Sequence, residues 1–172
     1  ELGSVGSRYL VSRLDTLVGD GFSWSVIALS RMTDLKIEGA IRQSLGSKHA
    51  EVRAAAITLL WSRNAKSALR PIMKLLRDPV ATVRKAAVIG TANLGNADNI
   101  GDLAAAGFDA DAAVREQAIL RSKTHAATFS CENTLAEIWG RIVSRREGVE
   151  HSDVIRALGE LASKPKENFP LP

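Results

Sequence analysis

The side chains best suited to carry chemistry are His125 and Cys131, which lie close together in the sequence with Glu132 adjacent. A histidine beside a cysteine can act in nucleophilic catalysis, because the imidazole can take the thiol proton. A lone cysteine in an apolar stretch is more often buried and inert. The other histidines, His49 and His151, share no helical face with this pair, and no metal-ligand spacing occurs. We therefore predict no catalytic residue, no metal site and no cofactor.

Neither a phosphate-binding loop nor a calcium loop is indicated. Gly90 and Gly95, in the stretch GTANLG, follow a helical pattern rather than a strand, so Gly95 is predicted to end a helix. A group of aspartates lacks the spacing of an EF-hand loop, and its members suit solvated helix ends. They are Asp98, Asp102, Asp109 and Asp111.

The best candidate for ligand binding is a basic run between residues 63 and 85. It contains Arg63, Lys66, Arg70, Lys74, Arg77, Arg84 and Lys85 against a single acid, Asp78. On a helix, Arg70, Lys74 and Arg77 fall at i, i+4 and i+7 and form one stripe, here called the basic stripe. An acidic ligand or a nucleic acid could bind it, but no aromatic residue lies in the run to stack on bases. The alternative is an ordinary solvated helix face.

Composition indicates an all-helical chain. Of its 172 residues, 45% are hydrophobic and only 5% are aromatic, with alanine, leucine, isoleucine and valine dominating. Residues 1–86 carry 14 Lys or Arg and 7 Asp or Glu, a net +7, whereas residues 87–172 carry 9 and 12, a net −3. The one cysteine excludes an intramolecular disulfide, and we expect a cytoplasmic protein without a membrane span. Since the chain starts with Glu1, it could be a piece of something longer.

One helical pattern is written three times. The copies are EVRAAAITLLW at 51–61, TVRKAAVIGTA at 82–92 and AVREQAILRSK at 113–123. Each copy carries a valine followed by an arginine, and the interval from Val52 to Val83 equals that from Val83 to Val114; we call this interval the repeat length. An apolar segment precedes each copy after a short break. Repeated units of this kind are helical hairpins that stack on one another.

The chain divides into about five such pairs, near 5–32, 34–63, 67–94, 97–122 and 132–163, followed by a tail at 164–172. After Arg121 the register breaks, because the next comparable site, Ile155-Arg156, lies farther beyond Arg115 than one repeat length. We therefore expect an insertion and place it near KTHAATFSCEN at 123–133. The three tryptophans, Trp24, Trp61 and Trp139, are predicted to pack between helices.

These residues resemble the HEAT repeats, especially the short type found in phycobilisome-lyase-related proteins. The resemblance lies in LLRDPVATVRKAAVIGTANLG at 75–95 and in its copies at 47–60 and 109–122. It implies that an aspartate in the turn and an arginine early in the second helix form a ladder between neighbouring repeats. Asp78 with Arg84 and Asp109 with Arg115 match this motif, as does Arg53, before which Ser47 replaces the aspartate. The resemblance implies a structural role for these residues.

We therefore expect an all-α protein, an α-solenoid of about five hairpins wound as a right-handed superhelix. The expected function is a non-catalytic scaffold that binds a protein partner through the surface of the second helices. Candidate contacts there are Glu51, Arg63, Lys85, Glu116 and Arg121, together with the basic stripe. The alternatives are a nucleic-acid-binding module and, from the resemblance, a subunit of a bilin or phycobiliprotein lyase.

Overall fold

The computed structural model describes residues 2–14, 16, 19–32, 37–145 and 152–162. Within these ranges the chain forms ten α-helices and no strand, so the predicted all-α fold is confirmed. The helices are α1 (Leu2–Arg13), α2 (Gly19–Arg31), α3 (Glu38–Gln43), α4 (Ala50–Ser62), α5 (Leu69–Lys74), α6 (Ala81–Leu94), α7 (Ile100–Ala106), α8 (Ala112–Thr128), α9 (Glu132–Arg145) and α10 (Ser152–Ala162).

The helices form two layers. Helix α4 packs on α6 and α6 on α8, while α2 packs on α4 and α10 on α8, which gives a layer of second helices. The first helices α1, α3, α5, α7 and α9 each pack against the second helix of their own pair and form the other layer. This arrangement is an α-solenoid, as expected. The right-handed sense of the superhelix stays a prediction.

The central first helices are short and are extended by 3₁₀ turns. One such turn, Ser44–Gly46, follows α3, and another, Ala97–Asn99, precedes α7. Helix α5 has one on each side, Lys66–Ala68 before it and Leu75–Arg77 after it. Pro71 is the third residue of α5 and so lies in its first turn, where a proline is tolerated. Helix α6 ends at Leu94, directly before Gly95.

Small residues let the central helices approach closely. Gly90 of α6 is the clearest case, because a Cβ there would lie 2.8 Å from Cγ2 of Ile57 and 3.1 Å from Cγ2 of Ile72. The repeated valines are all buried on the core-facing side of the second helices to which they belong; they are Val52 of α4, Val83 of α6 and Val114 of α8. The residues that recur at one repeat length in the sequence therefore occupy equivalent places in the core.

The C-terminal pair departs from the expected register. Helix α8 continues through most of the predicted insertion to Thr128, so those residues lengthen a helix rather than form a separate loop. Ile155 is 54% exposed, unlike the three buried valines, and Arg156 bonds Asp153 of its own helix. The prediction that Ile155-Arg156 repeats the Val-Arg site is therefore wrong, because α10 turns a different face to the core.

The three tryptophans have different environments. Trp139 is fully buried, and its indole N–H donates to the carbonyl oxygen of Ala104 at 3.1 Å. Trp61 is half-buried. Trp24 is 69% exposed, which corrects the prediction that it packs between helices. Ala55, at the same position of the following unit, is buried because α4 lies between α2 and α6, whereas within the described residues α2 has a second helix on one side only.

None of the described helices is long and apolar enough to cross a membrane. The predicted tail at 164–172, His151 and the first residues of the second predicted pair lie outside the described residues.

Candidate functional site

Two bidentate ion pairs join neighbouring units at the turn between first and second helices. Arg53 donates from Nε and Nη2 to the two carboxylate oxygens of Asp78, both at 2.8 Å. Arg84 makes the same contacts with Asp109, at 2.7 and 2.8 Å. In each pair the arginine belongs to one unit and the aspartate to the next. Parallel, two-point geometry is the strongest form of this interaction.

The third guanidinium nitrogen of each arginine, Nη1, hydrogen-bonds the backbone of the turn that precedes its own helix. Nη1 of Arg53 donates to the carbonyl oxygens of Ser47 and Lys48 at 2.9 and 3.3 Å. Nη1 of Arg84 donates to those of Asp78 and Pro79 at 2.9 and 3.1 Å. One guanidinium therefore holds a turn and a neighbouring unit at once.

Arg115 makes the same hydrogen bonds to the turn before its own helix. Its Nη1 donates to the carbonyl oxygens of Asp109 and Ala110 at 3.0 and 2.9 Å. Across the described residues, however, it forms no ion pair. The residue one repeat length after Asp109 is Gly140, in the middle of α9. The unit that follows Arg115 therefore has no aspartate at the position that Asp78 and Asp109 hold in theirs.

The structure corrects which residues pair. Within one unit, Arg84 bonds the backbone carbonyl of Asp78, while the carboxylate of Asp78 goes to Arg53 of the preceding unit. Ser47 therefore leaves the ion pair of Arg53 intact. Its hydroxyl accepts the amide of His49 at 3.1 Å, as the aspartates accept amides two residues on. The position one repeat length before Arg53 is Phe22, so the preceding unit supplies no arginine for that turn.

Burial and pairing act in opposite directions on the ladder aspartates. Burial alone would raise the pKa of Asp78, but the bonds from Arg53 and from the amide of Val80 outweigh it and leave the pKa lowered. The pKa of Asp109 is lowered in the same way, against its burial, by Arg84 and the amide of Asp111. Both carboxylates are therefore held in the charged form by their partners.

The other end of the second helices is joined by a different set of contacts. Arg63 donates from Nη1 to the carbonyl oxygens of Leu29 and Met32, at the end of α2. Lys66 donates to the carbonyl oxygen of Leu94, at the end of α6, at 2.9 Å. Two members of the basic run thus cap the last carbonyls of neighbouring helices.

The environments of His125 and Cys131 do not favour nucleophilic catalysis. His125 is buried, and its Nε2 lies 2.7 Å from the carbonyl oxygen of Asn96, to which it must donate because a carbonyl only accepts. Burial, and then the charge of Glu132, raise the pKa of the Cys131 thiol, the opposite of what activates a nucleophile. No cluster of three potential metal ligands occurs among the side chains that the structure describes.

The basic stripe is exposed at the surface of the first-helix layer. Arg70, Lys74 and Arg77 form no ion pair with any described residue. Lys74 and Arg77 line one wall of a cavity of about 540 Å³ between α5 and α7, and Asp102 and Asp109 line it as well. Both signs of charge therefore face this cavity.

The candidates on the second helices are scattered. Glu51 is exposed in the first turn of α4, and Lys85 is half-buried on α6. Arg121 is half-buried, with its Nε buried and without a hydrogen-bond partner in the described part of the chain. Glu116 is exposed on α8 and lines a cavity beside α10.

That cavity is a groove of about 460 Å³ between α8 and α10, here called the α8–α10 groove. Its apolar lining includes Ile119, Ala157 and Leu120, whose side chain is 50% exposed. Lys123 of α8 forms an ion pair with Glu160 of α10 across it. The groove thus combines an apolar floor with a charged rim.

Sequence reasoning did not identify Leu120 as a candidate. The signal in the sequence was incomplete, because the same position of the repeat holds Ile27 and Ile89 but also Thr58. Ile27 is also exposed, at 42%. A single exposed apolar residue is ordinary at a protein surface, so Leu120 becomes a candidate only through the groove in which it lies.

Comparison with known proteins agrees with the repeat geometry. A family model described as HEAT repeats matches residues 38–122, which span the three units that carry Arg53, Arg84 and Arg115. No curated protein matches the chain. Residues 38–122, which contain α3 to α8 and the two ion pairs between units, therefore form HEAT repeats.

Proposed function

We propose that this protein is a non-catalytic scaffold that binds a protein partner in the α8–α10 groove. The observation that carries the proposal is the half-exposed side chain of Leu120 in a groove of about 460 Å³. Protein interfaces combine an apolar centre with a polar rim, and this groove has that composition.

The two walls of the groove are packed against the same core and are joined by one ion pair. The ion pair of Lys123 with Glu160 joins α8 to α10, and Ala157 and Val154 of α10 are buried against the rest of the chain. A groove formed by packed helices needs little rearrangement to receive a partner, which lowers the cost of binding.

The rim supports a partner segment that carries a positive charge. Glu116 is exposed and has no ion pair within the described chain, whereas Lys123 and Arg156 are each already paired with an acid. A segment that inserts an apolar side chain beside Leu120 and places a cation near Glu116 would complement this surface.

The test is affinity capture with Leu120→Asp and a matched control, Ile27→Asp. The two residues occupy the same position of the repeat and are similarly exposed, so both variants should fold. We expect partners recovered by the wild-type chain to be lost from Leu120→Asp and kept by Ile27→Asp, and the purified partner should show the same difference. Equal recovery by all three proteins would remove the groove from the proposal.

The basic stripe supports a second candidate function, the binding of an acidic ligand or a nucleic acid. Its three side chains are exposed and form no ion pair within the described chain. Changing Arg70, Lys74 and Arg77 to glutamate should abolish a salt-sensitive interaction with such a ligand and leave groove binding intact. An unchanged salt dependence would assign the stripe to solvation.

A lyase role is a prediction of the sequence resemblance alone. An absorbance change on mixing the protein with a linear tetrapyrrole would support it, and an unchanged spectrum would remove it.

A further inference from the structure

We propose that the Nε–Nη2 edge of Arg115 is a binding site for an aspartate carboxylate of a partner protein. The proposal deepens the scaffold function and rests on it for the existence of a partner. The site itself follows from comparing Arg115 with the two other arginines of the ladder.

The guanidinium of Arg115 is held in place before any ligand arrives. Its Nη1 donates to two successive carbonyl oxygens of its own turn, at 3.0 and 2.9 Å, as Arg53 and Arg84 do in theirs. A planar guanidinium fixed at one nitrogen presents its other edge in a set direction. In the two preceding units that edge receives a carboxylate in a bidentate contact.

The same edge of Arg115 reaches solvent. Polar side-chain atoms that are buried and lack a partner within the described chain are Oγ1 of Thr91, Nε of Arg121 and Oγ of Ser122. Nε and Nη2 of Arg115 are not among them, although no described residue accepts a hydrogen bond from either. Within the described chain they are therefore unpaired donors with access to water.

The occupied rungs define the ligand. Asp78 and Asp109 both bind through two carboxylate oxygens, and in both Oδ1 also accepts the amide of the residue two positions on. The group that fits is thus an aspartate at the start of a tight turn, with its carboxylate already oriented. A preorganised arginine gains most from a carboxylate, because both hydrogen bonds form without further ordering of the side chain.

The experiment follows the Nε–H signals of the arginines by NMR in the full chain. The probe is a peptide of residues 77–82, Arg-Asp-Pro-Val-Ala-Thr, acetylated and amidated so that its aspartate is the one carboxylate. The control peptide carries asparagine in place of that aspartate. The variant Arg115→Lys, which keeps the charge and loses the planar fork, identifies the Arg115 signal.

We expect the aspartate peptide to shift the Arg115 signal with saturation, and the signals of Arg53, Arg84 and exposed Arg70 to stay in place. The asparagine peptide should cause no shift. The proposal is overturned if Arg115 does not respond, if Arg70 responds equally, or if both peptides act alike. A response to acetate but not to the aspartate peptide would also overturn it, because the site would then take a small carboxylate rather than a protein turn.

This experiment is independent of the α8–α10 groove. It needs no partner, so loss of the groove proposal in the Leu120→Asp capture would leave the Arg115 result standing. A silent Arg115 signal would likewise leave the groove proposal untouched.

Discussion

The central units and the C-terminal pair are joined to their neighbours by different chemistry. Arg53 and Arg84 each tie one unit to the next through a bidentate ion pair at the turn. The C-terminal pair has no such rung at the turn within the described residues. It is joined by burial of Trp139, whose indole bonds Ala104 of the preceding unit, and by the more exposed ion pair of Lys123 with Glu160.

The difference shows what a regular register provides. An ion pair needs two groups at fixed positions, so it recurs only while the repeat length stays constant. Apolar burial has no direction and tolerates a change of helix length and face. Where the register is lost after α8, burial of Trp139 replaces the bidentate rung, and the ion pair that remains, Lys123 with Glu160, is more exposed.

The largest expected effect comes from breaking the C-terminal junction. Trp139→Ala should lower the free energy of unfolding by about 3–5 kcal/mol, because it removes a fully buried aromatic side chain and leaves a cavity. The measurement is urea denaturation followed by circular dichroism. Trp24→Ala is the matched control and should change stability little, since Trp24 is mostly exposed. Equal effects of the two substitutions would contradict the assigned packing.

Breaking an occupied rung should have the next largest effect. Arg84→Ala leaves the mostly buried carboxylate of Asp109 without its partner, and we expect a loss of about 3 kcal/mol. Arg115→Ala removes the hydrogen bonds to its own turn but no ion pair, so the loss should be about 1 kcal/mol. Urea denaturation of both variants gives the comparison, and a larger loss for Arg115→Ala would refute the ladder described above.

Filling the close contact at Gly90 tests the packing at the centre of the regular region, between α6, α4 and α5. Gly90→Leu forces a side chain against Ile57 and Ile72 and should cost about 1–3 kcal/mol by overpacking. The equivalent residues of the neighbouring units are Leu59 and Arg121, so this close contact belongs to α6 alone. Gly101→Ala, at a helical glycine with open space around it, is the control and should be neutral or stabilising when melting temperatures are compared.

Acid should weaken the rungs and leave the burial of Trp139 unchanged. Because Asp78 and Asp109 have lowered pKa values in the folded chain, their contribution is complete above the ordinary aspartate pKa of about 3.9. It is lost as the pH falls through the lowered folded values. Stability measured between neutral and strongly acidic pH should therefore fall less in Asp78→Asn/Asp109→Asn than in the wild-type chain. Parallel curves for the two proteins would show that the rungs do not titrate.

The fold could be predicted because the repeat is visible in residue types. Val52, Val83 and Val114 recur at the period of the core, and the model of HEAT repeats matches the region that contains them. Which arginine pairs with each aspartate could not be predicted from residue types and their repeat. Arg84 follows Asp78 and precedes Asp109, and spacing alone does not distinguish a contact within a unit from one between units.

The irregular parts were harder for a physical reason. Whether a tryptophan is buried depends on the helices beside it, and Trp24 and Trp139 have the same residue type in opposite environments. Likewise, Ile155-Arg156 has the residue types of a Val-Arg site without its orientation. Arg63 looked like a surface cation, but the carbonyl groups it bonds lie in the preceding pair, far earlier in the chain.

The offset between each arginine and its aspartate bears on how such a chain can change length. A second copy of residues 79–109 inserted after Asp109 would carry both an arginine and the aspartate that it binds. The original partners would keep their spacing, and the terminal arginine would keep its turn. Duplication of this segment therefore adds a unit whose ion pair is complete. The ladder can be lengthened by one rung without any compensating substitution.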